Sequence, residues 1–169
     1  MTTNIEQFSI RVYKQYFNFA ASHFMTFANG TREPLHGHNY RVELRGDAME
    51  LKSDMVFDFL DIKPIVREVC NELDHHFLLP TKNTHLKVIE TENQIQIETL
   101  DGSHFSFPTK DVYKIPIENT SAERIGLYLI QEIRRRVLER FQFEFSELTL
   151  EVEETPGQCA VVSVKKDRL

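Results

Sequence analysis

Alternation between apolar and polar positions dominates both ends of the chain. Phe8-Ser9-Ile10-Arg11-Val12-Tyr13 changes side at every residue and Phe17-Asn18-Phe19 resumes the pattern, which predicts a first strand. Asn29-Gly30 is a turn signal, and the loop through Thr31-Arg32-Glu33-Pro34 leads to a second strand over His38–Arg45. There Tyr40, Val42 and Leu44 share one face, and Asn39, Arg41, Glu43 and Arg45 the other. A strand with one wet face predicts an antiparallel sheet. Two closing strands, Leu148–Glu154 and Ala160–Val164, are expected to meet around Pro156-Gly157.

The period changes to that of a helix in two places. Ile62, Ile65, Val66, Val69 and Leu73 recur at spacings of three and four, predicting a helix over Ile62–Glu72 capped by Asp61, with Pro64 in its first turn. A second helix is expected after Asn119-Thr120-Ser121-Ala122-Glu123, where a Thr or Ser cap precedes an acidic residue. Ile125, Leu127, Tyr128, Ile130, Ile133, Val137, Leu138 and Phe141 would form its buried face, and Arg134-Arg135-Arg136 a solvated turn. Between the helices, Ile95, Ile97 and Thr99, a Leu100-Asp101-Gly102-Ser103 turn, and Phe105 and Phe107 predict a hairpin within 86–114. Strands with helices on one face make an α+β layer, and 169 residues without a linker or repeat suit one domain, 1–169.

Charge and composition narrow the function classes. A net charge of −6 without long Lys/Arg runs argues against a nucleic-acid surface. No apolar run approaches the length of a membrane span, and the opening residues lack the pattern of a secretory leader, so a cytoplasmic protein is expected. Two cysteines, Cys70 and Cys159, give no disulfide framework, and both fall in apolar patterns that suit buried thiols.

The chemistry concentrates in His36-Gly37-His38. On a strand, two histidines two residues apart leave the same face, and a third from His23 on a neighbouring strand would complete three nitrogen ligands with a fourth position open. A bare His-x-His is by itself more often a pair of surface histidines, or of residues around a glycine bulge. Asp74-His75-His76 follows the first helix as a candidate carboxylate–imidazole pair, with His75 and His76 competing for the imidazole. Arg32 and Arg41 lie near enough in sequence to meet an anionic substrate, and read equally well as surface residues.

Five ordered motifs resemble one family. Phe19-Ala20-Ala21-Ser22-His23, His36-Gly37-His38-Asn39-Tyr40, Met55-Val56-Phe57-Asp58-Phe59, Leu73-Asp74-His75 and Glu154-Thr155-Pro156 are similar to those of the 6-pyruvoyltetrahydropterin and 6-carboxytetrahydropterin synthases. The resemblance implies a tunnelling fold in which sheets of several subunits join into a barrel, as a trimer or dimer of trimers. It implies Zn2+ on His23, His36 and His38, and 7,8-dihydroneopterin triphosphate as substrate. Asp74 and His75 would form the catalytic dyad, Glu154 would hold the pterin ring, and Thr120, Ser121 and Glu123 would belong to a further pterin-contacting segment. Relative to shorter members, the hairpin is an insertion.

One departure stands out. The tetrahydropterin-forming members carry a cysteine shortly before His-Gly-His as the base, and here that loop holds Glu33 instead. The chain thus resembles a glutamate-for-cysteine subgroup that cleaves the side chain to 6-hydroxymethyl-7,8-dihydropterin. The alternatives are a 6-pyruvoyl- or 6-carboxytetrahydropterin synthase, or a catalytically silent pterin- or zinc-binding module.

Overall fold

The alternating segments pair as one sheet because each offers an apolar face that only a shared core can cover. The computed structural model describes residues 7–166; the leader-free reading of the opening falls on residues 1–6, which, with 167–169, lie outside the described residues. Six strands run in the order β7-β3-β1-β2-β8-β9: β1 (Phe8–His23), β2 (His36–Ala48), β3 (His76–Pro80), β7 (Val112–Ile115), β8 (Glu147–Thr155) and β9 (Gln158–Lys165). Pairing through β1, β2, β8 and β9 is antiparallel, as the wet faces predict. The far edge departs from that expectation. β3 pairs parallel to β1 and β7 parallel to β3, neither strand foreseen, and β3 is reached through a covering helix, which a parallel connection requires.

The helices are α1 (Phe59–Leu73) and α2 (Ala122–Phe141). α1 starts three residues before the expected point, because the Asp58 carboxylate accepts the Leu60 N–H and so caps the helix in place of Asp61. Pro64 consequently lies in the second turn. Ile62, Ile65, Val66, Val69 and Leu73 are all buried, each contributing about 1.5–3 kcal/mol. Ser121 caps α2 by accepting the Arg124 N–H. The α2 stripe is narrower at its end than expected, since Leu138 and Phe141 are exposed while Gly126 and Leu129 are buried.

Two expectations need correction. Arg136 is not solvated: it is buried between the helices, with Nη2 donating to both Glu72 oxygens at 2.7 Å. Cys70 is buried and Cys159 exposed, because β9 is an edge strand. In the 86–114 region the structure holds a three-stranded meander, β4 (Leu86–Glu90), β5 (Gln94–Thr99) and β6 (His104–Pro108), rather than two strands alone. Ile95 and Ile97 close a second small core with Phe24, Phe77 and Leu79. Among the described residues no helix is long and apolar enough to cross a membrane.

Candidate active site

The three histidines sit where the apolar face of β1 and β2 runs out. His36, His38 and Tyr40 share the parity of Val42 and Leu44, so the histidine face is the continuation of the core face. His23 is paired with His36 across the β1–β2 ladder, and His38 with Ala21. Gly37 is needed between the imidazoles because a Cβ there would lie 2.9 Å from the Ala21 carbonyl oxygen.

The ligand atoms of His23, His36 and His38 lie within 4.8 Å of one another. Two rings are oriented by the backbone: His23 Nδ1 is 2.9 Å from the Thr120 carbonyl, and His36 Nδ1 is 2.8 Å from that of Pro34. A carbonyl can only accept, so each Nδ1 carries the proton and each Nε2 lone pair is free for a metal. Burial, and then the charge of His36, push the His23 pKa down, which keeps that ring neutral. Three imidazole nitrogens converging this closely fit a tetrahedral cation with an open position.

Around this cluster the acids fall into two groups. Glu33 and Glu154 line a cavity of about 410 Å³ with His23, His36, Ser121 and Glu123. Glu33 Oε2 accepts the Met25 N–H at 3.2 Å, and Glu154 Oε1 accepts the Tyr40 hydroxyl at 3.1 Å. Glu154 Oε1 also lies 3.6 Å from Nε2 of both His23 and His38. Glu153 points the other way, toward Arg41, which places that arginine outside this cavity. Thr120 is fully buried behind His23, its hydroxyl donating to the Phe24 carbonyl at 3.0 Å. Arg32 is turned away, into the meander.

The second group borders a cavity of about 360 Å³ lined by His38, His75, His76 and Ala20. Asp74 binds with both oxygens: Oδ1 accepts the Ala20 N–H at 2.7 Å and Oδ2 lies 2.8 Å from His75 Nδ1. His75 adopts a left-handed φ of 60°, and its N–H donates to the Ala20 carbonyl at 2.7 Å. A non-glycine residue held there costs about 1–3 kcal/mol, so the surrounding ties must impose it. The imidazole is 83% exposed, with Nε2 directed away from the carboxylate. His76, by contrast, belongs to β3 and lacks the carboxylate.

Tyr40 is the member that strand parity could have revealed. Read only as a core residue, it is fully buried and stacked on Phe19, yet its hydroxyl also lies 3.2 Å from His23 Nε2. Burial and the Glu154 charge push its pKa up, so it stays a neutral donor to that carboxylate.

Comparison with known proteins identifies the family of the chain. Residues 11–165 match the model of the 6-pyruvoyl tetrahydropterin synthase family. A Methanocaldococcus jannaschii protein, provisionally named 6-carboxy-5,6,7,8-tetrahydropterin synthase, is 34% identical over 121 residues, 70% of this chain and 72% of its own. The Haemophilus influenzae protein of that name is 30% identical over 125 residues, 70% of this chain and 78% of its own. The crystal structure of Plasmodium vivax 6-pyruvoyl tetrahydropterin synthase superposes with a TM-score of 0.84 at 38% identity, covering 95% of this chain and 99% of that one. In a variant of the Plasmodium enzyme, 37% identical to this chain with coverage of 95% and 99% and a TM-score of 0.84, a glutamate described as a catalytic residue is replaced by alanine. With nearly the whole described chain matched by one family model, this protein belongs to the 6-pyruvoyl tetrahydropterin synthase family.

Proposed function

We propose that the chain is a zinc-dependent lyase acting on 7,8-dihydroneopterin triphosphate, with His23, His36 and His38 holding the metal and Glu33 as the base. The observation that carries this reading is the shared cavity: a glutamate from the loop before His36 faces the same space as His23, His36 and Glu154. When bound, zinc would polarise the substrate's side-chain oxygens and lower the pKa of a hydroxyl on them. Glu33 takes a proton from a side-chain hydroxyl of the substrate; for cleavage, that oxygen becomes the carbonyl of a departing aldehyde as the adjacent C–C bond breaks, and the carbon left on the pterin takes up a proton. His75 Nε2 exchanges a proton with substrate carbon, while Asp74 holds the ring in one tautomer and stabilises its charged form. Glu154 accepts two N–H groups of the pterin ring, and Ser121 and Glu123 border the same cavity. Thr120 contributes through His23.

Two product classes are open to this site. The names of the relatives favour a tetrahydropterin synthase, forming the 6-carboxy or 6-pyruvoyl compound, over side-chain cleavage. Glu33 favours cleavage to 6-hydroxymethyl-7,8-dihydropterin, because a carboxylate takes a proton from an activated hydroxyl more readily than from carbon. Cys70 offers no substitute base: burial pushes its thiol up to about 12, and it belongs to α1. We further propose a cytoplasmic homo-oligomer, a trimer or dimer of trimers, whose joined sheets form a barrel, with the meander as an insertion.

Chromatography of the products from purified zinc-loaded protein and 7,8-dihydroneopterin triphosphate tests both levels. We expect turnover, with Glu33→Gln reducing it at least tenfold. A tetrahydropterin as main product would overturn cleavage and retain the lyase reading, whereas no turnover in either form would leave the silent-module alternative.

A further inference from the structure

We infer that the meander β4–β6 is a clamp that positions Glu33, and that Arg32 is the residue through which it acts. This rests on the reading of Glu33 as the base. The chain is extended here, Arg32 bridging to Thr26 and the Glu33 N–H donating to the Met25 carbonyl at 2.9 Å. Neighbours on an extended segment face opposite ways, so Glu33 looks into the cavity while Arg32 looks into the meander.

The guanidinium is held through both Nη atoms and by two aromatic rings, while its buried Nε has an ion-pair neighbour but no hydrogen-bond partner among the described residues. Its side chain is 18% exposed, Nη2 donates to Ser103 Oγ at 2.9 Å, and Nε lies 3.4 Å from Asp101 Oδ2. Its planar group sits 4.8 Å from the centre of the Phe105 ring and 5.6 Å from that of Phe24. The remaining arm, Nη1, donates to the Glu33 carbonyl at 2.7 Å. One fork thus ties the backbone of the proposed base to the β5–β6 turn.

The turn is built to receive it. Asp101 is fixed by hydrogen bonds from the Thr99 hydroxyl and the Ser103 N–H, which hold its carboxyl down to about 2. Leu100 packs on the Asn29-Gly30 turn, where a Cβ on Gly30 would be 3.3 Å from Leu100 Cδ1. Without these contacts, Glu33 itself would keep only its two bonds to Met25 among the described residues. A misplacement of about 1 Å in a reacting group costs about 100-fold in rate, so a carboxylate on a loop gains much from such a tie.

The test is a double-mutant cycle on zinc-loaded protein, reading kcat and KM for 7,8-dihydroneopterin triphosphate. Arg32→Ala should lower kcat by about 10- to 100-fold, with KM within about twofold and bound zinc per chain unchanged. In the Glu33→Gln background, Arg32→Ala should cost nothing further, because both changes remove one action. Losses that multiply, or Arg32→Ala at full kcat beside an impaired Glu33→Gln, overturn the clamp alone. Full turnover in Glu33→Gln overturns the base reading and the clamp with it. If Arg32→Ala does not fold, Ser103→Ala removes one tie at the turn; it should lower kcat severalfold and only when Glu33 is present, and an unchanged kcat refutes the clamp.

Discussion

The two cavities flanking the histidines hold their acids in different ways. On the Glu33 side, Glu33 and Glu154 each accept a hydrogen bond from a fixed neutral donor, the Met25 N–H and the Tyr40 hydroxyl respectively. On the His75 side, the carboxylate is fixed by Ala20, but the imidazole it serves stands 83% exposed on a left-handed residue. Carboxylates held in place as acceptors suit recognition of a flat ring with paired N–H groups. A strained residue carrying an open imidazole suits proton exchange, since its reactive nitrogen is unpaired and its carboxylate partner is locked. The difference separates ring recognition beside the Glu33 base from proton exchange with carbon at His75, with the triad between them.

Removing a triad member should erase that difference altogether. His36→Ala leaves two nitrogen donors, and we expect loss of stoichiometric zinc, measured by elemental analysis, together with turnover at background in every product channel. Retained zinc and turnover in that variant would mean the cation sits elsewhere.

How much of this was readable beforehand depends on whether the signal was local. The α1 stripe was, because Ile62, Ile65, Val66, Val69 and Leu73 bury themselves by period alone. Its start was not, since Asp58 and Asp61 are both acceptable caps and only the Leu60 N–H decides between them. The triad could be assembled from strand parity plus the family motifs, whereas β3 and β7 escaped because Phe77-Leu78-Leu79 and Val112–Ile115 are short apolar runs paired to distant residues. Arg136 was misjudged for a similar reason. Its three-arginine context reads as solvated, and its partners Glu68 and Glu72 come from the other helix.

The dyad offers the next largest effect. In Asp74→Asn, the amide oxygen can still accept the Ala20 N–H, but the NH2 then faces His75 Nδ1 and forces the proton onto Nε2. With the wrong tautomer presented to substrate, kcat should fall by about 10²- to 10⁴-fold. KM and zinc content should hold, because the ring-recognition side is untouched. Steady-state kinetics beside elemental analysis checks this, and a rise in KM without a fall in kcat would assign the dyad to binding.

The smallest effect locates the ligand. Cys159 is exposed and borders the Glu33 cavity, whereas Cys70 is buried in α1 with its thiol pushed up to about 12. Only the thiolate reacts, so at pH 8 about one Cys70 in ten thousand is available even before burial blocks the reagent. Reactivity at Cys70 therefore rises only as pH climbs toward 12 or the chain unfolds. Native protein should take up one equivalent of a thiol reagent and unfolded protein two. A bound pterin filling the Glu33 cavity should slow the native reaction severalfold, whereas one seated beside His75 would leave Cys159 untouched. Mass spectrometry of the labelled peptides with and without pterin distinguishes these outcomes. Equal labelling rates with pterin bound would mean that the thiol, whose strand partner is Glu153, is reached from the opposite side of the sheet, and would remove Cys159 as a reporter of recognition.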